Sequence, residues 1–282
     1  MRLSEQQIAY FHIFGFLKFD GLFKDDIDAI TSGFEQIWAS HGGGHHGKAH
    51  DNKERSALLP FIDRNEYMSA LLDDSRIVGI AGSILGDDFN YTASDGNYYV
   101  GDTGWHSDSY TDSKYMSVKM AFYLDPVTKD TGCLRVIPGS HKVGDRFADM
   151  LHETAPSSKF NQTEELWGML GAEVPAVILE TQPGDMLMFN HGTKHASFGG
   201  GTRRRMFTIN LQERHAVEDL EELRNDISGL AQFWHDKAYG DTMIKTAGPG
   251  RMIHLEQRLA NDGHLLDLVS KAKEEMTEPS RG

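Results

Sequence analysis

Pro183-Gly184-Asp185-Met186-Leu187-Met188-Phe189-Asn190-His191-Gly192-Thr193-Lys194-His195 reads as a tight turn feeding a short apolar strand that ends at a histidine. Pro, Gly and Asp supply the turn, and the apolar run after them has the length of a strand. The same grammar recurs on both sides. Short runs of β-branched and aromatic residues, parted by Gly, Pro and Asp, predict further strands at 91–100, 117–124, 134–137, 176–179 and 204–211, besides 186–189 itself. So many short strands at this density predict a sandwich or jelly roll over residues 89–211.

Outside that core the period is helical. Ser4 is placed to cap a helix over 5–13, and Ile27, Ile30, Phe34 and Ile37 recur at helical spacing within 24–39. Further helices are expected at 66–72, 77–85, 159–169 (inserted between strands), 217–233 and 251–272. The order is α, β, α with no convincing linker. The expectation is therefore one domain spanning 1–282: a helical region 1–88, the core 89–211 and a helical extension 217–282. Gly42-Gly43-Gly44-His45-His46-Gly47-Lys48-Ala49-His50-Asp51 has no apolar period and reads as a mobile loop within 42–55.

Charge narrows the partners. Lys and Arg number 28 against 42 Asp and Glu, a formal net charge of −14, which repels phosphate backbones and anionic membranes. Neither nucleic acid nor membrane is an expected partner. The single cysteine, Cys133, excludes an internal disulfide, and the N-terminal residues lack the apolar run of a signal peptide. No stretch approaches the ~20 apolar residues of a membrane span. A cytoplasmic, soluble protein is expected.

Candidate chemistry begins at Gly104-Trp105-His106-Ser107-Asp108. On an extended strand end, residues two apart project to the same side, so His106 and Asp108 converge. His254-Leu255-Glu256 repeats the spacing, but in an expected helix its side chains diverge, and the pair reads as surface. A third ligand on a later strand would be His191 or His195. Two histidines and one carboxylate on one face leave three octahedral positions of iron open for a cosubstrate and oxygen. Finally, Arg203-Arg204-Arg205 opens the 204–211 strand, whose alternation aims one parity inward. An inward guanidinium offers a planar fork matched to the distal carboxylate of 2-oxoglutarate.

From about residue 11 to 210 these features resemble the phytanoyl-CoA dioxygenase family of iron and 2-oxoglutarate oxygenases. The residues that carry the resemblance are Asn97-Tyr98-Tyr99-Val100-Gly101-Asp102-Thr103-Gly104-Trp105-His106-Ser107-Asp108, then Leu124-Asp125-Pro126, then Thr131-Gly132-Cys133-Leu134-Arg135-Val136-Ile137-Pro138-Gly139-Ser140-His141-Lys142. It implies a mainly β fold with flanking helices: a double-stranded β-helix, the cupin-like jelly roll. It implies Fe(II), 2-oxoglutarate and O2 as cofactors, with His106, Asp108 and His195 as catalytic metal ligands, since His191 falls too early after Asp185. Ser197 and Arg204 would hold 2-oxoglutarate, with Arg205 second to Arg204, and His141 would close a loop without touching metal. Some relatives carry a tryptophan near 2-oxoglutarate where this chain has Ala121 or a neighbour. Related halogenases lack the carboxylate of Asp108, so its presence implies hydroxylation.

For the substrate, the absence of a coenzyme A signature favours a small polar metabolite. Aminoalkylphosphonate hydroxylases are similar to this chain in length and in the region before His106, which implies oxidation of 2-aminoethylphosphonate, or an N-methylated analogue, at C1. His45, His46, Lys48, His50, Lys53 and Arg55 would then make the 42–55 loop a cationic lid selecting an anion. The extension 217–282 is expected to cap the pocket or form a homodimer. The competing expectations are a hydroxylase of a natural product or amino acid, a non-catalytic metal-binding jelly roll, and a zinc hydrolase.

Overall fold

The computed structural model of the chain describes residues 1–111, 113–154 and 162–282. Among the described residues ten strands form in chain order: β1 (Phe16–Phe19), β2 (Ser56–Leu58), β3 (Asn90–Tyr99), β4 (Thr103–His106), β5 (Ser117–Tyr123), β6 (Leu134–Val136), β7 (Val177–Leu179), β8 (Met186–Asn190), β9 (His195–Ser197) and β10 (Arg204–Gln212). They pair into a six-stranded sheet, β1-β8-β5-β10-β3-β2, facing a four-stranded sheet, β4-β9-β6-β7. Every pairing is antiparallel. This is the expected jelly roll.

Period-2 alternation sorts each strand of the large sheet between two environments. On β10, Phe207, Ile209 and Leu211 join the core against the helices, while Arg204, Met206, Thr208 and Asn210 line a cavity between the sheets. On β5, Val118, Met120 and Phe122 take the helix side, and Lys119, Ala121 and Tyr123 the cavity side. The helix-side core is aromatic: Phe122 stacks on Phe207 at 4.6 Å between ring centroids, and Trp38 stacks on Tyr98 at 4.5 Å. Burying each such ring contributes about 1.5–3 kcal/mol. The helices Ile27–Ser40 and Ser75–Leu85 supply the other half of this layer through Phe34, Trp38, Ile77 and Ile80. A second, smaller apolar cluster between the sheets takes in the cavity-lining Ala121, Tyr123, Leu134, Phe189 and Met206.

All six expected strands are present, shifted by at most a residue or two at their ends. Several other expectations need correcting. The 251–272 helix is three: Pro249–Met252, Glu256–Leu259 and Leu265–Glu275. Between the first two, His254 is buried, not on the surface, its ring stacked on Phe89 at 3.8 Å and its Nδ1 bonded to the Phe89 carbonyl at 2.8 Å. Its partner in the pattern, Glu256, points away to Arg214, so the pair chelates nothing. The 217–233 helix is regular only over Leu220–Ser228, with 3-10 turns on both sides. Of the expected 159–169 helix, 159–161 lie outside the described residues and Thr163–Trp167 is helical.

The 42–55 loop is tied down at several points. His45 is buried and bonds the carbonyls of Ala57 and Pro279 at 2.9 and 3.0 Å, and Lys48 pairs with Glu278. His50 bridges Ser56 and the Thr202 carbonyl. Of the loop's basic residues, Arg55 alone lines the central cavity among the described residues. No helix of the described residues is long and apolar enough to cross a membrane.

Burial pushes the imidazoles of His141 and His235 down to about 4. The unfolded chain then takes up protons below about 6.5 that the folded chain refuses, so these two groups cost stability progressively as pH falls from 6.5 toward 4. Asp63 works in the opposite sense: burial pushes its carboxyl up to about 6, and stability it contributes below pH 3.8 is lost as pH rises through 6. With two histidines against one carboxyl, the melting temperature is expected to be lower at pH 5.5 than at pH 7.5, as calorimetry at the two values would show.

Candidate active site

The β4 strand ends at His106 and β9 begins at His195, and the two are direct cross-strand partners. Asp108 follows two residues after His106, its amide donating to the His191 carbonyl at 2.9 Å, which fixes the turn. One nitrogen from each histidine and one oxygen of Asp108 lie within 4.8 Å of one another, and no other such cluster of three exists among the described residues. Each imidazole is oriented by its own backbone: Nδ1 of His106 bonds the Gly104 carbonyl at 2.8 Å, and Nδ1 of His195 the Thr193 carbonyl at 2.9 Å. A carbonyl can only accept, so Nδ1 carries the proton and Nε2 presents a lone pair, the arrangement of a metal-binding histidine.

The charges agree. Burial would raise the Asp108 carboxyl, but the Lys119 ammonium, 2.8 Å from Oδ2, and then His195 hold it well below the usual carboxylate range. Burial, with His106 beside it, pushes His195 down to about 3, so its imidazole is neutral at physiological pH. The neutral imidazole of His195, the ionised carboxylate of Asp108 and the His106 ring thus converge on one point.

Ser197 and Arg204 line the same cavity, whose volume is about 410 Å³. Arg204 is 5 % exposed, packs over the Tyr99 ring at 5.1 Å, and donates from Nη2 to Ser197 Oγ at 2.9 Å. Its Nε and Nη1 are buried with no hydrogen-bond partner among the described residues. Alternation separates it from its neighbours: Arg205 pairs with Asp125 and Glu35, and Arg203 reaches Glu35 and the Tyr98 ring. Of the three arginines only Arg204 enters the cavity. Unpaired buried guanidinium donors are costly unless an acceptor arrives, and the open Nη1, beside the second N–H of Nη2, offers an end-on fork for a carboxylate.

The other expected residues sort clearly. His191 lines the cavity but is not one of the three converging groups, while the His141 and Thr193 side chains both crowd Gly15. Burial pushes the Cys133 thiol up to about 11, leaving it unreactive. Sequence reading passed over Lys119, Asp95, Thr208 and Asn210, which continue the cavity face of the large sheet beyond Arg204 as a polar wall. The signal that could have found them was the alternation itself, counted onward from Arg204 to Thr208 and Asn210.

The match to phytanoyl-CoA dioxygenase (PhyH) runs over residues 11–206 and takes in both the His106-Ser107-Asp108 turn and His195. The chain belongs to the phytanoyl-CoA dioxygenase family. Solved structures share the fold of this family member. The non-heme alpha-ketoglutarate-dependent carbocyclase SnoK of nogalamycin biosynthesis is 18 % identical, with 79 % of this chain and 91 % of that one covered at a TM-score of 0.57. EctD from S. alaskensis, solved with 2-oxoglutarate and 5-hydroxyectoine, is 21 % identical over 75 % of this chain and 76 % of that one, TM-score 0.54. HygX from Streptomyces hygroscopicus, with nickel and 2-oxoglutarate bound, is 15 % identical over 76 % and 88 %, TM-score 0.56. No curated protein matches the chain.

Proposed function

We propose that this member of the family binds iron(II) through His106, Asp108 and His195, holds 2-oxoglutarate with Arg204 and Ser197, and hydroxylates a small polar metabolite. The observation that carries this reading is the buried Arg204 fork, with two donors lacking an acceptor, in the same cavity as a convergent two-histidine, one-carboxylate set. A zinc hydrolase or a metal-binding module has no use for that fork. Iron(II) with 2-oxoglutarate, when bound, couples O2 reduction to C–H hydroxylation, releasing succinate and carbon dioxide. The chain supplies the rest. The backbone carbonyls of Gly104 and Thr193 fix the two imidazoles, and Ser197 holds Arg204 in its rotamer. Leu134, Phe189 and Met206 keep the wall between them apolar and poor in water.

Gly132 guards this arrangement. It sits at φ +91°, and a Cβ there would occupy the position of Arg204 Nη1. Gly132→Ala is expected to push the guanidinium off Ser197 and weaken 2-oxoglutarate binding about tenfold, roughly 1.4 kcal/mol, without altering a charge. Isothermal titration of 2-oxoglutarate into the zinc-loaded variant measures this.

For the substrate, the cavity lining carries both signs of charge: Lys119 and Arg55 against Asp95 and Asp108. That mixture suits a small zwitterion, and the first compounds to test are 2-aminoethylphosphonate and its N-methylated analogues, oxidised at C1. The presence of the Asp108 carboxylate favours hydroxylation, since it takes the position a halide would need. Succinate release under air, above the uncoupled rate and matched by oxidised product, would support the assignment. Equal succinate with and without aminoalkylphosphonate, alongside coupled turnover of an amino-acid or natural-product substrate from the same panel, would replace it.

A further inference from the structure

We propose that Lys119 is the docking group for an oxyanion on the substrate, held in reserve by Asp108 until metal is bound. The proposal rests on reading Asp108 as a metal ligand.

The placement follows from register. Lys119 on β5 stands opposite Phe189 on β8 and Asn210 on β10, on the face that looks into the cavity. Its side chain is 18 % exposed, its ammonium is 2.8 Å from Asp108 Oδ2, and the Phe189 ring lies 6.0 Å away. Asp95, the next carboxylate, is engaged elsewhere: it accepts from Thr208 Oγ1 and Asn97 Nδ2 and pairs with Arg55. Asp108 is therefore the counter-ion of Lys119.

The same oxygen of Asp108 faces His195 Nε2 at 4.0 Å, so it is also the oxygen that a metal between them would claim. A divalent cation draws that negative charge to itself and leaves a cavity-bound ammonium short of a counter-ion, which costs several kcal/mol in a poorly hydrated site. An anion arriving with the substrate restores the balance. Two further groups at this end are only loosely engaged: His191 Nε2 and Asn210 Oδ1 are buried without a hydrogen bond of good geometry, their side chains reach each other, and both residues line the cavity. An oxyanion such as a phosphonate, sulfonate or carboxylate can accept from the ammonium, from an imidazole N–H and from the Asn210 amide turned over.

The site is separate from the 2-oxoglutarate fork. Asn210 lies six residues beyond Arg204 on β10, about 20 Å along the strand at ~3.3 Å per residue. Arg204 thus serves one anionic group and Lys119 another, towards opposite ends of the cavity face of β10 and its neighbour. This order would make substrate binding follow metal binding, because Lys119 is released only when Asp108 is taken.

The test uses methylphosphonate as the probe and calorimetric titration as the readout, on full-length protein stripped of metal. Asp108→Asn removes the reserve partner without metal and is expected to bind methylphosphonate at least about tenfold tighter than the metal-free wild type. Adding Lys119→Met should abolish that gain, and adding Lys119→Arg should keep most of it. In zinc-loaded protein saturated with 2-oxoglutarate, Lys119→Met should weaken methylphosphonate about tenfold while 2-oxoglutarate affinity stays within about twofold. Matching melting curves exclude misfolding. No gain in metal-free Asp108→Asn, or a gain that persists with Lys119→Met, would overturn the proposal. Failure of zinc to bind the wild type would instead count against the metal reading, because the metal-free comparison decides on Lys119 by itself.

Discussion

Arg204→Met is expected to weaken 2-oxoglutarate binding by about 30- to 700-fold while leaving the melting temperature of the cosubstrate-free protein unchanged or raised. The first half follows from charge-assisted, bidentate recognition in a buried site, where truncating one partner costs about 2–4 kcal/mol and each 1.4 kcal/mol is a factor of ten. The second half follows from the two orphaned donors. Arg204 Nε and Nη1 are buried without acceptors, and replacing an unsatisfied polar group by an apolar one of similar shape is close to neutral or stabilising. An arginine kept for stability behaves in the opposite way, losing melting temperature and sparing affinity. Arg204→Lys keeps the charge but not the fork and should fall between the two extremes. Arg205→Met serves as the contrast: it breaks the pairs with Asp125 and Glu35 on the other face of the sheet and should leave 2-oxoglutarate affinity nearly unchanged.

His195→Ala should lower metal affinity by at least about 100-fold, beyond the 10- to 100-fold typical when only an outer partner of a ligand is lost. His191→Ala, four residues earlier on the same loop, should change it by no more than a few-fold. The pair of variants separates two histidines that the sequence by itself leaves equivalent. The structural difference is that His195 is the cross-strand partner of His106, whereas His191 approaches Asp108 through its backbone carbonyl. Competition with a chromogenic chelator measures both affinities on protein that has never been exposed to oxygen.

Much of this site is legible in the sequence because strand geometry does the placing. His106 and Asp108 are two apart at a strand end, so their convergence is a matter of pleat. Arg204 is distinguished from Arg203 and Arg205 only by parity, and parity cannot be assigned until one inward residue of β10 is known. The paired strands β10, β5 and β3 supply that through register. Lys119 escaped notice for a related reason: a lysine among Val118, Met120 and Ala121 reads as the solvent face of a half-exposed strand, yet this strand is covered on one side by helices and on the other by the cavity.

The short elements were harder. β1, β2, β4 and β9 have three or four residues each, too few to display a period; β1 and β2 form against the longer β8 and β3, while β4 and β9 pair with each other. The C-terminal helix failed as a single element because its pattern, read continuously over 251–272, spans two breaks, one at 253–255 where His254 is buried and one at 260–264 before Leu265 opens the last helix. The 42–55 loop has the composition of a flexible segment, but what ties it down is the distant C-terminal stretch around Glu278 and Pro279, which no local signal announces.

The decisive measurement is anaerobic: metal-free protein is given iron(II) and then 2-oxoglutarate, and the weak visible charge-transfer band of the iron–keto-acid chelate is followed. The band should rise with saturation in the wild type, be lost in His195→Ala, and in Arg204→Met require far more 2-oxoglutarate to appear. No band in wild-type protein with iron demonstrably bound would contradict the assignment of the cavity to 2-oxoglutarate.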